Sequence, residues 1–353
     1  MEKIDLVLVR DQEVFVGIDV SKRSHVVAVR YDGDLRWQGT FAQEYSHLRG
    51  LWSRLPGCRI HAVYEAGFSG FGLCDQMQAD GIDAFVTPPS KVPQSGDRVK
   101  TDRRDARKLA WELEKGGLRR CRVLSPAARE AREWSRYLSQ VTSARTRLKV
   151  QIKSRLAWHG IHPPGDRARC WSRAYRGQIL ALTSGSGAVP VIMRDMVERL
   201  AAMDVCIAGL KRQLRDLAAS EEYRQPVALL SSVPGIGWLT AIRLVLEWGD
   251  LSVFRNSAAF TAFLGLTPSE YSTGDRIRRG RITGQGNGQV RAWLVEAAWK
   301  AITRDPALMA RFRRLAPTPG DRKRAIVAVA RTLAVRLFTC WRSGQPYVIG
   351  VVK

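Results

Sequence analysis

The sequence has few acidic residues and no cysteine pairs of the kind that bind zinc. Of its 353 residues, 33 are Asp or Glu and 57 are Lys or Arg, so the formal charge is +24. The six cysteines include no C-x-x-C pair, which argues against a zinc ribbon. Cysteines scattered in this way are typical of reduced thiols in a cytoplasm.

Long apolar runs are also missing. A membrane span needs about 18 consecutive apolar residues, and no stretch here reaches that length. The first residues, MEKIDLVLVRDQE, contain only a short apolar run interrupted by charges, which is not the pattern of a signal peptide. No P-loop for nucleotide binding is visible. We therefore expect a soluble, intracellular protein.

The composition instead indicates a folded, basic protein. At 45% hydrophobic residues the chain can bury a core, and its length allows two or three domains. The basic surplus is spread along the sequence and favours a polyanionic partner, with nucleic acid as the first candidate. An acidic membrane surface is the alternative, but no basic amphipathic helix stands out.

Residues 1–125 have the pattern of an α/β domain. Three β-rich segments follow one another at 14–20, 24–33 and 35–42. Helices are then expected at about 44–55, 69–81 and 101–115, with strands between them at 59–66 and 82–88. Three antiparallel strands followed by helix-linked strands are the order of the RNase H-like fold.

Four acids in this domain lie where they can meet. Asp19 shares one face of the first strand with Gly17, and Glu65 ends a later strand. Asp102 and Asp105 lie three residues apart at the start of the last helix and therefore face the same side. Each acid alone also has a structural interpretation, as a strand-end cap or part of a solvated helix. Their number and order favour a common site.

Such a cluster would suit metal-dependent chemistry on nucleic acid. Carboxylates that converge repel one another unless hard cations such as Mg²⁺ neutralise them, and paired ions support phosphodiester displacement. Neighbouring bases would contact the phosphate backbone without reading sequence. These predicted backbone contacts are Arg98, Lys100, Arg103, Arg104, Arg107 and Lys108.

Residues 126–225 read as a helical spacer with heptad repeats. Apolar residues recur at alternating spacings of three and four from Met193 to Leu217, and a looser seam runs from Trp134 to Leu156. A break at 162–166 and 184–187 separates the two helices. The pattern fits either a helical hairpin that packs on itself or a coiled coil that joins subunits, and we expect the second.

The remaining residues, 226–353, read as a mainly helical domain. Gly235 and Gly237 in the turn P-G-I-G resemble a helix-hairpin-helix, whose backbone N–H groups can bind a phosphate. Further on, Ser272 and Thr273 lead into a basic, glycine-rich arm. A hydroxyl there could attack a phosphate or simply form a turn, and no His or Lys nearby offers a general base. The arm's predicted nucleic-acid contacts are Arg276, Arg278, Arg279 and Arg281.

Several segments together resemble one protein family. They are VGIDVSK, YEAGFSG, KTDRRDARKLA, VPGIGWLTA, FLGLTPSEYSTG and GRITGQGN. Their content and order are similar to those of the DEDD transposases of IS-one-ten-type bacterial insertion sequences and their Piv/MooV invertase relatives. The similarity covers nearly the whole chain.

This resemblance implies an RNA-guided site-specific recombinase. It implies a RuvC-like domain, a coiled coil and a C-terminal transposase domain, with Asp19, Glu65, Asp102 and Asp105 as ligands of divalent metal, Mg²⁺. A serine would attack the DNA phosphate, leaving a phosphoserine link and a free hydroxyl on the other strand end. Dimers would join into tetramers, and an element-encoded bridge RNA would pair with target and donor DNA. The expected location is the bacterial cytoplasm, at the nucleoid.

One position departs from the family pattern. Members often carry serine immediately before the glycine, where this sequence has Thr273, with Ser272 one step earlier. A secondary alcohol is more hindered, so we predict Ser272 as the nucleophile and keep Thr273 as the alternative. Two other functions stay open at this point: a RuvC-like junction nuclease that uses metal-activated water, and a non-catalytic nucleic-acid-binding protein whose acids form salt bridges.

Overall fold

The computed structural model describes residues 12–93, 101–163, 171–271 and 278–350. The chain divides into two compact units, Met1–Val123 and Leu124–Lys353. No helix in the described ranges is both long enough and apolar enough to span a membrane.

The first unit is a five-stranded mixed sheet with helices on both faces. Its strands are β1 (Glu13–Val20), β2 (Ser24–Tyr31), β3 (Asp34–Ala42), β4 (Arg59–Glu65) and β5 (Asp83–Thr87), and its helices are α1 (Tyr45–Trp52), α2 (Gly72–Ala79) and α3 (Asp102–Glu114). The strand order is β3-β2-β1-β4-β5. The first three strands are antiparallel, whereas β1, β4 and β5 are parallel. The expected α/β domain is confirmed.

Alternation along the strands supplies apolar side chains to both faces of this sheet. On one face, Ile18 and Tyr64 belong to the core formed with α1 and α2. On the other face, Val63 packs with Leu109 and Leu113 of α3. Different helices therefore cover the two faces, and α3 is the helix that packs on the second one.

The second unit is mainly helical. Its elements are α4 (Pro126–Trp158), α5 (Arg173–Leu182), α6 (Ala188–Ala219), α7 (Glu221–Ser231), α8 (Trp238–Trp248), α9 (Ser257–Phe263), β6 (Pro268–Glu270), β7 (Arg279–Ile282), α10 (Gly288–Ala301), α11 (Pro306–Leu315) and α12 (Arg322–Ser343). α5 lies in the break between the two heptad segments, where the sequence predicted no helix.

The heptad residues are buried within this unit. Ile152 shares a core with Met193 and Leu200, and Leu138 shares another with Leu214. The two long helices α4 and α6 therefore pack against each other in antiparallel directions. This is the self-packing alternative, and the apolar seam needs no second subunit to cover it. A subunit-joining coiled coil thus remains only a prediction.

The expected division at 225/226 falls inside α7. Leu214 of α6 and Leu230 of α7 belong to the same core as Leu294 and Leu333 of the later helices. Residues 126–225 and 226–353 are therefore not separated by a boundary in the described structure. Their separate roles as spacer and transposase domain remain a prediction.

Candidate active site and nucleic-acid interface

Gly17 allows α3 to lie directly on β1. A Cβ at this position would collide with the Ala106 carbonyl oxygen and the Ala110 nitrogen, and would lie 2.9 Å from the Leu109 Cβ. The backbones of strand and helix are thus in contact, and no larger residue fits without moving the helix. The glycine sets how closely the helix approaches the sheet.

An ion pair fixes the direction of α3. Arg30 lies opposite Phe15, near the beginning of β1. Its Nε donates to Glu114 Oε2 at 2.7 Å, and Glu114 is the last residue of α3. The end of the helix therefore lies beside the beginning of β1, and the helix runs antiparallel to that strand.

This arrangement brings the beginning of α3 to the end of β1. Gly17 contacts α3 at residues 106–110. From the middle of that segment toward the N-terminus of the helix, Asp105 lies about 4–5 Å and Asp102 about 9 Å along the axis. In the same direction, Asp19 lies about 7 Å beyond Gly17 along the strand. Asp19 is therefore level with the segment of α3 that carries the two acids, and it projects from the face that α3 covers.

Glu65 reaches the same edge from the neighbouring strand. β1 and β4 pair in parallel up to Ile18 and Tyr64, so Asp19 and Glu65 are the next residues on adjacent strands. Such strands lie about 4.8 Å apart. Val63, two residues earlier in β4, packs on α3, and alternation sends Glu65 to that same face.

Asp102 and Asp105 extend the stripe through which α3 contacts the sheet. Ala106 and Leu109 are buried there, and the acids lie one turn earlier on the same side. Thr101 caps the helix through its side chain, so Asp102 and Asp105 lie in the first turn. The positive end of the helix dipole stabilises their negative charge there. The two acids therefore stabilise the helix and also add negative charge to this edge of the sheet.

The four acids differ in their present contacts. Asp19 and Asp105 are half-buried and each engages another group. Glu65 is half-buried and Asp102 is exposed, and neither side chain has a hydrogen bond or ion pair within the described ranges. No group of three or more His, Cys, Asp or Glu side chains in those ranges is close enough to hold a metal ion. The backbone therefore brings four positions to one edge without assembling their side chains into a ligand set.

The donor chemistry at this edge suits a hard divalent cation. Carboxylate oxygens are the ligands that Mg²⁺ accepts in proteins, and Glu65 is a half-buried residue whose side chain has no hydrogen bond in the described ranges. Like charges repel at short range, so four acids have no tendency to converge alone. The chemistry of these donors therefore suits a divalent cation, whereas binding of Mg²⁺ by Asp19, Glu65, Asp102 and Asp105 together remains a prediction.

Basic side chains flank the beginning of α3. Arg107 Nε donates to Gln38 Oε1 at 2.6 Å, and Gln38 Nε2 donates to the Arg103 carbonyl at 2.7 Å, which ties this end of the helix to β3. Arg103 and Arg107 remain exposed and can meet a phosphate backbone. The other predicted contacts here are Arg104, which is exposed, Lys108, which is half-buried, and Arg98 and Lys100, which lie outside the described residues.

The basic, glycine-rich arm of the second unit is a two-stranded hairpin. β6 and β7 pair antiparallel, with Glu270 opposite Arg279. The two candidate nucleophiles, Ser272 and Thr273, belong to segment 272–277, which joins these strands and lies outside the described residues. In the sequence, the two candidates therefore fall between the strands of the hairpin.

Two of the four predicted arm arginines can be located. Arg278 and Arg281 are exposed on β7 or beside it. Arg276 and the side chain of Arg279 lie outside the described residues. The exposure of these two side chains is compatible with contacts to a nucleic-acid backbone.

The base of the hairpin is held tightly. Gly265 has φ +67°, and a Cβ there would collide with the backbone of Gln285 on the returning segment. Arg291 Nη1 donates to the Gln285 carbonyl at 2.7 Å and to the Leu264 carbonyl at 3.2 Å, which joins the two sides of the base. These contacts hold the two sides of the hairpin base in a fixed position relative to each other.

A buried acid holds the segment that follows the hairpin. Glu247, in the last turn of α8, accepts from Arg136 Nε at 3.1 Å and from Asn287 Nδ2 at 3.1 Å. Asn287 in turn caps α10. A negative charge at the end of a helix opposes the helix dipole, and the two donors offset that cost. Burial lowers the pKa of the nearby Arg243 to about 10, and the charge of Glu247 opposes this shift.

The P-G-I-G turn connects α7 and α8 as expected, but its glycines serve different purposes. Gly235 has φ +89°, and a Cβ there would collide with the Ala297 carbonyl oxygen of α10. Packing therefore explains Gly235 without a ligand. Gly237 is the exposed N-cap of α8, with open space around its Cβ position. A phosphate contact at Gly237 remains a prediction.

Comparison with known proteins identifies the family. The model of the DEDD transposases of the IS110 group matches residues 16–160, and the model of the "Transposase IS116/IS110/IS902 family" matches residues 227–313. The chain belongs to the IS110 family of insertion-sequence transposases. It is therefore a transposase, an enzyme class that cuts and rejoins DNA.

Individual relatives agree with this assignment over long stretches. The chain is 29% identical to the y4qE protein of Sinorhizobium fredii over 82% of this chain and 72% of that protein. It is 23% identical to the transposase of insertion sequence element IS1533 from Leptospira borgpetersenii over 95% and 97% of the two chains. The transposase of element IS1111A from Coxiella burnetii is 27% identical over 62% of this chain and 59% of its own length.

Several residues of this IS110-family chain escaped the sequence prediction. Glu247 and Asn287 gave no signal, because an acid and an amide 40 positions apart meet only in the fold. Arg291 was not singled out, because its two carbonyl partners at the hairpin base lie far from it in the sequence or depend on the turn. Thr87, at the end of β5, was not singled out either; it is buried, and its Oγ1 has no hydrogen-bond partner among the described residues.

Proposed function

We propose that this transposase is an RNA-guided recombinase whose N-terminal unit is an RNase H-like, RuvC-like DEDD domain. Three antiparallel strands followed by helix-linked parallel strands support that fold assignment. The observation that carries the proposal is the common edge. β1, β4 and the beginning of α3 each bring carboxylates to the same face at the same end of the sheet.

In this proposal the four acids hold the catalytic ions. Asp19, Glu65, Asp102 and Asp105 would bind Mg²⁺, which when bound neutralises their charge and that of the DNA phosphate. Arg103 and Arg107, exposed beside them, would hold the backbone in place. The bases predicted outside the described ranges, Arg98 and Lys100, would extend this surface.

The chemical step uses a hydroxyl of the arm. Ser272, or Thr273 as the alternative, attacks a DNA phosphate: its Oγ–phosphorus bond forms while the bond from phosphorus to the leaving deoxyribose oxygen breaks. The hydroxyl proton ends on the released strand end. Because one phosphodiester replaces another, the bond energy is conserved and rejoining needs no ATP.

Partners complete the reaction in this proposal. A guide RNA, the bridge RNA of the element, would pair with target and donor DNA, so that base pairing rather than the protein selects the sites. The charge of +24 supports binding of both nucleic acids. Homodimers would join into a tetramer in which the acids of one subunit meet the serine of another.

A cleavage assay with Mg²⁺, guide RNA and labelled DNA tests the acids. We expect Asp102→Asn to abolish strand cleavage, whereas Glu44→Gln, which changes an exposed acid of the same unit, should cleave like the wild type. Normal cleavage by Asp102→Asn would remove Asp102 from the site.

The covalent intermediate identifies the nucleophile. We expect Ser272→Ala to lose the protein–DNA adduct on a denaturing gel and Thr273→Ala to retain it. Loss only in Thr273→Ala would transfer the role to the threonine. Cleavage without any adduct would point instead to a nuclease that uses water.

Mixing two inactive proteins tests the shared site. An Asp102→Asn subunit still carries the serine, and a Ser272→Ala subunit still carries the acids. We expect the mixture to regain part of the cleavage activity. No regain from well-folded proteins that assemble together would place acids and serine within one subunit.

A further inference from the structure

Thr87 carries a buried hydroxyl without a partner. The residue is 0% exposed, and its Oγ1 makes no hydrogen bond within the described structure. Burying a hydroxyl without compensation costs free energy, and valine would fill a similar volume without that cost. The hydroxyl therefore contributes nothing to folding that the described contacts reveal.

The position of Thr87 connects it with the acidic edge. Thr87 is the register partner of Glu65 on the adjacent parallel strand. Phe85, two residues earlier in β5, packs on the face covered by α3, so alternation sends Thr87 to that same face. With strands about 4.8 Å apart, a threonine hydroxyl and a glutamate carboxylate at paired positions are within reach of each other.

Both groups lack a partner that the other can supply. Glu65 is a half-buried acceptor without a hydrogen bond in the described ranges, and Thr87 is a buried donor without one. The backbone between them is already fixed, because the Ala66 N–H donates to the Thr87 carbonyl at 2.8 Å. A hydrogen bond between the two side chains, which would be charge-assisted, is thus consistent with this backbone pairing.

We infer that Thr87 is a positioning residue of the carboxylate site: its hydroxyl donates to one Glu65 oxygen and orients the other toward the bound ion. This inference rests on the proposed function, since it presumes that Glu65 is a ligand. Groups that hydrogen-bond metal ligands in this way set ligand orientation, and removing one typically weakens metal binding about 10–100-fold.

The test uses full-length Thr87→Val and Thr87→Ser proteins with Mn²⁺ as the probe. Free Mn²⁺ is measured by electron paramagnetic resonance, so that no cleavage needs to occur. We expect the Kd for Mn²⁺ to rise about tenfold or more in Thr87→Val and to stay within about threefold of the wild type in Thr87→Ser. Thr40→Val, at an exposed position of β3, should leave it unchanged.

Thermal denaturation without Mn²⁺ separates positioning from a structural role. Because the hydroxyl has no described partner, Thr87→Val should melt at or above the temperature of the wild type. A clear drop in melting temperature would overturn the inference, as would equal Mn²⁺ affinity in Thr87→Val and the wild type. If the wild type bound no Mn²⁺, the proposed metal site would fail and this inference with it.

Discussion

The contact between Gly17 and α3 makes a single methyl group a strong test of the site. In Gly17→Ala, the added Cβ would collide with the backbone of Ala106 and Ala110. Both obstacles are backbone atoms, so no side-chain rotation relieves the contact. To restore van der Waals separation, α3 must move away from β1 by about 1 Å.

Two effects should follow from that displacement. Overpacking of this kind typically lowers the free energy of unfolding by about 1–3 kcal/mol. Asp102 and Asp105 move with the helix, while Asp19 and Glu65 stay with the sheet. A misplacement of about 1 Å in a catalytic group can reduce the rate about 100-fold, so we expect a cleavage rate lower by about that factor.

The assay is strand cleavage well below the melting temperature, with thermal denaturation in parallel to show that the variant is folded. Gly50→Ala is the matched control, because Gly50 lies in α1 with nothing within 4 Å of its Cβ position. It should stabilise the helix by about 0.5–1 kcal/mol and leave cleavage unchanged. A folded Gly17→Ala protein that cleaves as fast as the wild type would refute the idea that this contact sets the spacing of the acids.

Two further predictions concern the arm and the acid response. Arg291→Met removes both hydrogen bonds across the hairpin base, so limited proteolysis should cut segment 264–285 faster than in the wild type. Arg313→Met, a change at an exposed position, is the control and should be cut like the wild type. Equal rates for Arg291→Met and the wild type would show that other contacts hold the base. Burial lowers the pKa of His25 below its ordinary value of 6.5, so the unfolded chain binds a proton at a higher pH than the folded protein does. Stability should therefore fall as the pH drops below that value, and His25→Gln should flatten the dependence in thermal melts between pH 5 and 7.5; an unchanged slope would assign the acid response to other groups.

The sequence predicted the first unit well because its signals are local. Alternation along β1 and the helix expected at about 101–115 depend only on near neighbours, and both appear as expected. The positions of Asp19 and Glu65 at one edge of the sheet were predictable for the same reason, because each lies at the end of a strand. How closely α3 approaches the sheet was not predictable, because Gly17 reads as an ordinary strand glycine until its opposing helix is known.

Long-range partners account for most of what was missed. The heptads of α4 and α6 fit packing within one chain as well as between chains, and only the buried pairs, such as Ile152 with Met193, show that the two helices pack within the chain. The phosphate contact of Gly235 stays a prediction, but the close approach of α10, which also requires glycine there, could not be read from the motif. Thr87 acquires meaning only from its register with Glu65 and its missing partner.

Diffraction at a manganese-sensitive wavelength tests the central claim most directly. Crystals of the protein with its nucleic acids, grown with Mn²⁺, should give anomalous density at the carboxyl end of β1 and β4, between Asp19, Glu65 and the beginning of α3. Density only elsewhere, with those four carboxylates turned apart in a complex that cleaves DNA, would contradict a metal site built from them.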